Sequence, residues 1–123
     1  MNNNNHLLDV IRIIYEMQER IEDHENNINN CTRPILGPNE VLNNTRPFTL
    51  YLCNNTPLEI QYNGTAGPLT SSIFRVENIN DSCVTVRLLS ETDGEITATN
   101  ETATINMDCI AAIRCLRDIN LGL

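Results

Sequence analysis

The sequence predicts a mainly β protein: a single antiparallel β-sandwich or barrel-like domain with one N-terminal amphipathic α-helix. Three observations carry this. The stretch Ser72–Leu89 holds two runs rich in Val, Ile, Phe and Thr around the polar segment Asn78–Ser82, which is the period-two signature of a β-hairpin. Leu7, Val10, Ile14, Met17 and Ile21 recur at spacings of three and four, which is the signature of a helix. The apolar content of 41% includes no Trp, so the core must be built from Ile, Leu and Val, which suits strands. At 123 residues the chain has room for one core and not for two.

Residues 1–30 read as an Asn-rich tail and the amphipathic helix, the latter running from residue 7 to about residue 23. Its heptad-like seam, Leu7, Val10, Ile14, Met17 and Ile21, continues to His24 and Ile28. Leu8, Ile11 and Tyr15 widen the apolar surface, so the helix either docks on the chain's own sheet or helps subunits associate, and both readings stay open here. Asn26–Asn30 ends the pattern, because Asn competes for backbone hydrogen bonds in a helix interior. Residues 31–44 form a Pro/Gly/Asn linker, broken by Pro34, Gly37 and Pro38, on which Cys31 is placed to reach another subunit.

Residues 45–123 form the β-rich domain. Thr45–Leu52 reads as its first strand, with Pro47 near the start where a missing amide costs least. The turn Asn54–Pro57 leads into Leu58–Tyr62, a hairpin partner with Leu58, Ile60 and Tyr62 on one face. Asn63-Gly64 is a second turn, and the small residues up to Ser71 read as a loop. In the central hairpin Phe74 and Val76 face the core, as do Val84, Val86 and Leu88. Arg75, Glu77 and Arg87 make an ion-pair ladder on the other side, expected to be solvated or subunit-facing and worth about 0–1 kcal/mol per pair. Thr92-Asp93-Gly94 is a tight turn feeding two Thr-rich strands, Glu95–Thr99 and Ala103–Met107. A last strand from about Ile105 to Leu116, bulged near Asp108, places Cys109, Ala111, Ile113 and Cys115 on one face. The two thiols are too distant to bridge each other, and inward packing would bury Cys109 as a small apolar residue.

Charge and chemistry narrow the function. The formal net charge is -8 and all eight basic residues are arginines without a basic stripe, so nucleic-acid binding is not expected. No apolar run reaches membrane-spanning length, and residues 1–6 lack the order of a secretion signal, so synthesis in a cytoplasm and no membrane partner are expected. The five cysteines include no C-x-x-C pair, so no metal site is expected. His6 and His24, the only histidines, sit in no motif with a cysteine, so neither catalysis nor a cofactor is expected. The alternative to a structural protein is a small β-sandwich binding module for a glycan or protein ligand, which the absence of Trp disfavours.

Four motifs then enter in register: Asn44–Tyr51, Ser72–Glu77, Asp81–Leu89 and Cys109–Asp118, preceded by the helical Leu8–Gln18. In this order they resemble the bacillus spore-surface family CotY/CotZ/ExsY. The resemblance implies a structural, non-enzymatic protein of the exosporium basal layer or coat crust, made in the mother-cell cytoplasm. It further implies partners in itself and in other spore-surface proteins, through capsid-like two-dimensional hexagonal arrays reinforced by disulfides. The candidate cross-linking thiols are Cys31, Cys53, Cys83, Cys109 and Cys115, of which all but Cys53 look like family positions. Of these, Cys31 is expected to link subunits and Cys109 to stay buried and reduced. Thiols held free in a reducing cytoplasm and oxidised after release would lock an assembly already formed.

Overall fold

A computed structural model of the chain describes residues 6–26 and 43–122. Helix α1 (His6–Asn26) precedes strands β1 (Phe48–Leu52), β2 (Ile60–Gly64), β3 (Gly67–Ser71), β4 (Ile73–Asn80), β5 (Cys83–Thr92), β6 (Glu95–Asn106) and β7 (Ile110–Cys115). A 3-10 turn, Met107–Cys109, joins the last two strands. The five-stranded sheet has the order β6-β5-β4-β1-β7, antiparallel throughout, and β2 and β3 form a separate hairpin.

The central hairpin forms as its alternation requires. Phe74, Val76, Val84, Val86 and Leu88 are all buried on one face, where water would otherwise meet their whole apolar surface. The strands reach further than expected, through Asn78–Asn80, because Asp81 takes a positive φ of 57° and closes a two-residue loop between Asn80 and Cys83. Asp93 and Gly94, with φ of 54° and 81°, close the next hairpin in the same way.

The mainly β architecture is sandwich-like rather than a closed barrel. β1 meets β4 at one residue pair, Phe48 opposite Phe74, whose rings lie 6.3 Å apart. The edge strands β6 and β7 are joined by only the Met107–Cys109 turn. Four residue steps span at most about 14 Å, whereas four strand spacings in a flat sheet need about 19 Å. The β1–β7 ribbon must therefore fold over the β4–β5–β6 layer, with the Phe48/Phe74 corner as the crease. Ile11 and Ile14 of α1, Leu50, Ile105, Met107 and Ile110 complete the core between them. Across the sheet, Ile73, Leu89 and Leu121 make a smaller apolar cluster under the C-terminal segment.

Several expectations are corrected. Leu58–Tyr62 does not continue as a hairpin with β1: Leu58 donates to the Leu50 carbonyl at 2.8 Å, after which the chain leaves and β2 pairs with β3. The segment read as a loop is therefore strand β3, which tolerates Pro68 because that residue lies exposed in a two-stranded ribbon. The two Thr-rich strands are one strand, β6, bulged where Arg87 pairs with Thr102 and Leu89 with Ala98. The expected last strand is broken. Asn106 caps the 3-10 turn by accepting from the Asp108 amide at 3.0 Å, and the Met107 amide donates to the Ser82 carbonyl at 3.0 Å. Beyond the break Ile110 is buried and Ile113 half-buried, with a register shift between them, while Cys109, Ala111 and Cys115 are exposed.

Candidate assembly surface

The thiols stand mostly outside. Cys53 lies exposed in the turn after β1, Cys109 exposed at the end of the 3-10 turn, and Cys115 exposed at the end of β7, while Cys83 is half-buried at the start of β5. All four are free thiols. The expected burial of Cys109 is corrected: Met107 and Ile110 take the inward positions on either side of it, and the turn points Cys109 to solvent. Cys31 lies outside the described residues.

Of the helix seam, Ile14 is buried, Leu7, Val10 and Met17 are half-buried, and the Ile21 side chain lies outside the described residues. The face turned to the sheet centres on Ile11, Ile14 and Gln18, and packs on β4 and β7. Ile13 is left 58% exposed on the far side. His6 is exposed at the start of the helix.

Gln18 is buried and closes a gap in the sheet. Continuing the antiparallel Phe48/Phe74 register sets Pro47, which has no amide to donate, opposite Arg75, and Arg46 opposite Val76. The Gln18 carboxamide takes the place of that rung: its Nε2 donates to the Val76 carbonyl at 3.0 Å and its Oε1 accepts from the Arg46 amide at 3.2 Å. The helix is thus hydrogen-bonded into the crease of the sandwich. A polar residue on an apolar helical stripe was the sequence signal for it.

On the other face the charged ladder forms, but it is not solvated. Arg75 and Arg87 stand directly opposite one another on β4 and β5, an arrangement that repels without a counter-charge. Glu77, at the bulge, supplies it: one carboxylate oxygen accepts from Arg75 at 2.8 Å and from Arg87 at 2.9 Å. Arg75 is only 4% exposed because the 44–46 segment lies across it, with Thr45 Oγ1 accepting from its Nε at 2.8 Å and the Asn44 carbonyl from its Nη2 at 3.4 Å. The expectation of a solvated ladder fails there, since alternation along β4 does not show which segment crosses it.

That segment is itself clipped to the C-terminal stretch. Thr45 and Ile119 exchange backbone bonds of 3.0 and 2.9 Å, and buried Asn44 donates to the Leu121 carbonyl and accepts from its amide at 2.7 and 2.9 Å. Arg46 and Asp118 close the clip with a two-pronged ion pair at 2.7 and 3.0 Å. The Arg46 hydrogen bond outweighs desolvation and holds the Asp118 carboxyl below its usual range, while Asp118 raises Arg46.

The comparisons with known proteins bear on this surface. The family model described as Spore coat protein Z matches residues 1–98, from the tail through α1 and the central hairpin into β6. Spore coat protein Z of Bacillus subtilis (strain 168) is 27% identical over 130 residues, covering 84% of this chain and 87% of that protein. No solved structure matches. Cys109 and Cys115 lie beyond the end of the family match, and Cys31, Cys53 and Cys83 within it. With residues 1–98 of its 123 matched, the chain belongs to the spore coat protein Z family, whose role is structural and whose place is the spore surface.

Proposed function

We propose that this chain is a self-assembling structural protein of the outer spore layer, the exosporium basal layer or the coat crust, and no enzyme. Its copies form two-dimensional hexagonal arrays with one another and join other spore-surface proteins. Disulfides then reinforce arrays already built by non-covalent contacts. The family match across α1 to β6 carries the reading. The exposed thiols Cys53, Cys109 and Cys115 support its second half, because a cross-link between subunits needs sulfur at the surface.

Electron microscopy of the purified full chain tests it, first with reductant and then after air oxidation. Ordered sheets should form in reductant and survive dilution only after oxidation. Particles that stay small under both conditions would favour the binding-module reading instead. A fluorescent fusion expressed during sporulation tests the location: signal should ring the mature spore.

A further inference from the structure

The two edges of the five-stranded sheet are β6 and β7, and among the described residues no strand pairs with the outer side of either; the Asn63 amide of β2 meets β6 only at the Glu101 side chain, at 3.1 Å. Their charges are opposite. The β6 hairpin carries exposed Glu91, Asp93 and Glu95, and there is no basic residue from 91 to 106; Glu101, half-buried, is engaged by the Asn63 amide. β7 and the segment after it carry exposed Arg114 and Arg117 and no acid from 110 to 117, and Asp118 beyond them is engaged by Arg46. In a chain of net charge -8 a basic edge is the exception.

We propose that the outer edge of β7 in one copy pairs with the outer edge of β6 in the next, so that the sheet continues from molecule to molecule. This rests on the self-assembly reading above and names its contact. Both edges are fit for it. β7 has neither Pro nor Lys, the usual guards of an exposed edge, and its small exposed Ala111 and Ala112 let another backbone approach. The bulge of β7 lies at its start, leaving Ala112–Cys115 regular against β1. β6 offers regular halves on either side of its own bulge, with Thr97, Thr102 and Thr104 exposed, and β-branched residues suit a strand that gains a neighbour. Like edges repel: β7 on β7 sets arginine near arginine, and β6 on β6 sets acid near acid. Head-to-tail pairing of unlike edges relieves both, and a heterologous contact of this kind repeats into rings or extended arrays.

Sedimentation velocity of the full chain in reductant, across protein and salt concentration, tests the contact. The parent should associate, and less so as salt rises. A β7-reversed chain (Arg114→Glu, Arg117→Glu) and a β6-reversed chain (Glu91→Arg, Glu95→Arg) should each associate about tenfold more weakly alone, and an equimolar mixture should recover parental association. All four side chains are exposed, and circular dichroism checks the fold. Should the reversal disturb it, the milder Arg114→Gln, Arg117→Gln chain must still weaken association. A parent that stays monomeric overturns the self-assembly reading together with this contact. A parent that assembles while the reversed chains assemble equally well, or while their mixture fails to recover, overturns the edge pairing alone.

Discussion

Gln18 holds two backbone groups that would otherwise be orphaned in the crease of the sandwich. Gln18→Ala strands both, and at about 1–3 kcal/mol for each buried unsatisfied group the variant should lose roughly 2–6 kcal/mol, read as a lower urea midpoint. Gln18→Glu keeps the acceptor for Arg46 but sets a carboxylate against the Val76 carbonyl. Burial raises the introduced carboxyl above its unfolded value of about 4.3, so the folded state binds the extra proton and stability falls as pH rises from that value. A midpoint lower at pH 7 than at pH 4, relative to the parent, is the expected result. At Glu77 the same reasoning concerns charge. Glu77→Gln removes the carboxylate that two facing arginines share, of which Arg75 is almost wholly covered, and should cost about 2–4 kcal/mol, below a fully buried pair because Glu77 and Arg87 are each 24% exposed. The thiols separate by exposure: iodoacetamide should label Cys53, Cys109 and Cys115 of the native reduced protein ahead of Cys83.

Helix α1 shares the core with the strands. Ile11→Ala should therefore destabilise the fold by about 2–4 kcal/mol, while Ile13→Asn on the open side should change it by no more than about 0.5 kcal/mol. If Ile13→Asn instead weakens association at constant stability, the far face of the helix is a subunit contact. The elements divide by how much local pattern decides them. The central hairpin was legible because its alternation and its burial coincide from Phe74 to Leu88. The helix was legible in extent, but its buried stripe lies on Ile11, Ile14 and Gln18 rather than along the whole expected seam, because the sheet and not the helix chooses the face. β3 was hidden behind Gly67 and Pro68, residues that ordinarily mark loops. The break after Asn106 was hidden because a 3-10 turn resets the alternation on which the reading of Cys109 depended, and with it went the burial of that thiol.

Across the molecule, the Arg46–Asp118 pair is a modest fastening. Both side chains are well exposed, at 36% and 40%, so Asp118→Asn should cost no more than about 1 kcal/mol. The lowered carboxyl of Asp118 contributes stability that is present at neutral pH and lost as pH falls below about 4, so parent and variant should converge in acid. Truncation after Leu116 should cost far more, since it uncovers Ile73 and Leu89 and strands Asn44. None of this was legible: nothing in an Asn-rich stretch marks Asn44 as the residue that meets Leu121, because that meeting is made by the fold over a separation of 77 residues. The clip also closes the β domain into a loop, with residue 44 tied to residue 121. In a shell under tension, a pull applied at the start of this domain and resisted at its end would be borne by those few bonds before it reached the core. The domain would carry load as a closed link does, yielding first at its fastening while the sandwich inside stays folded.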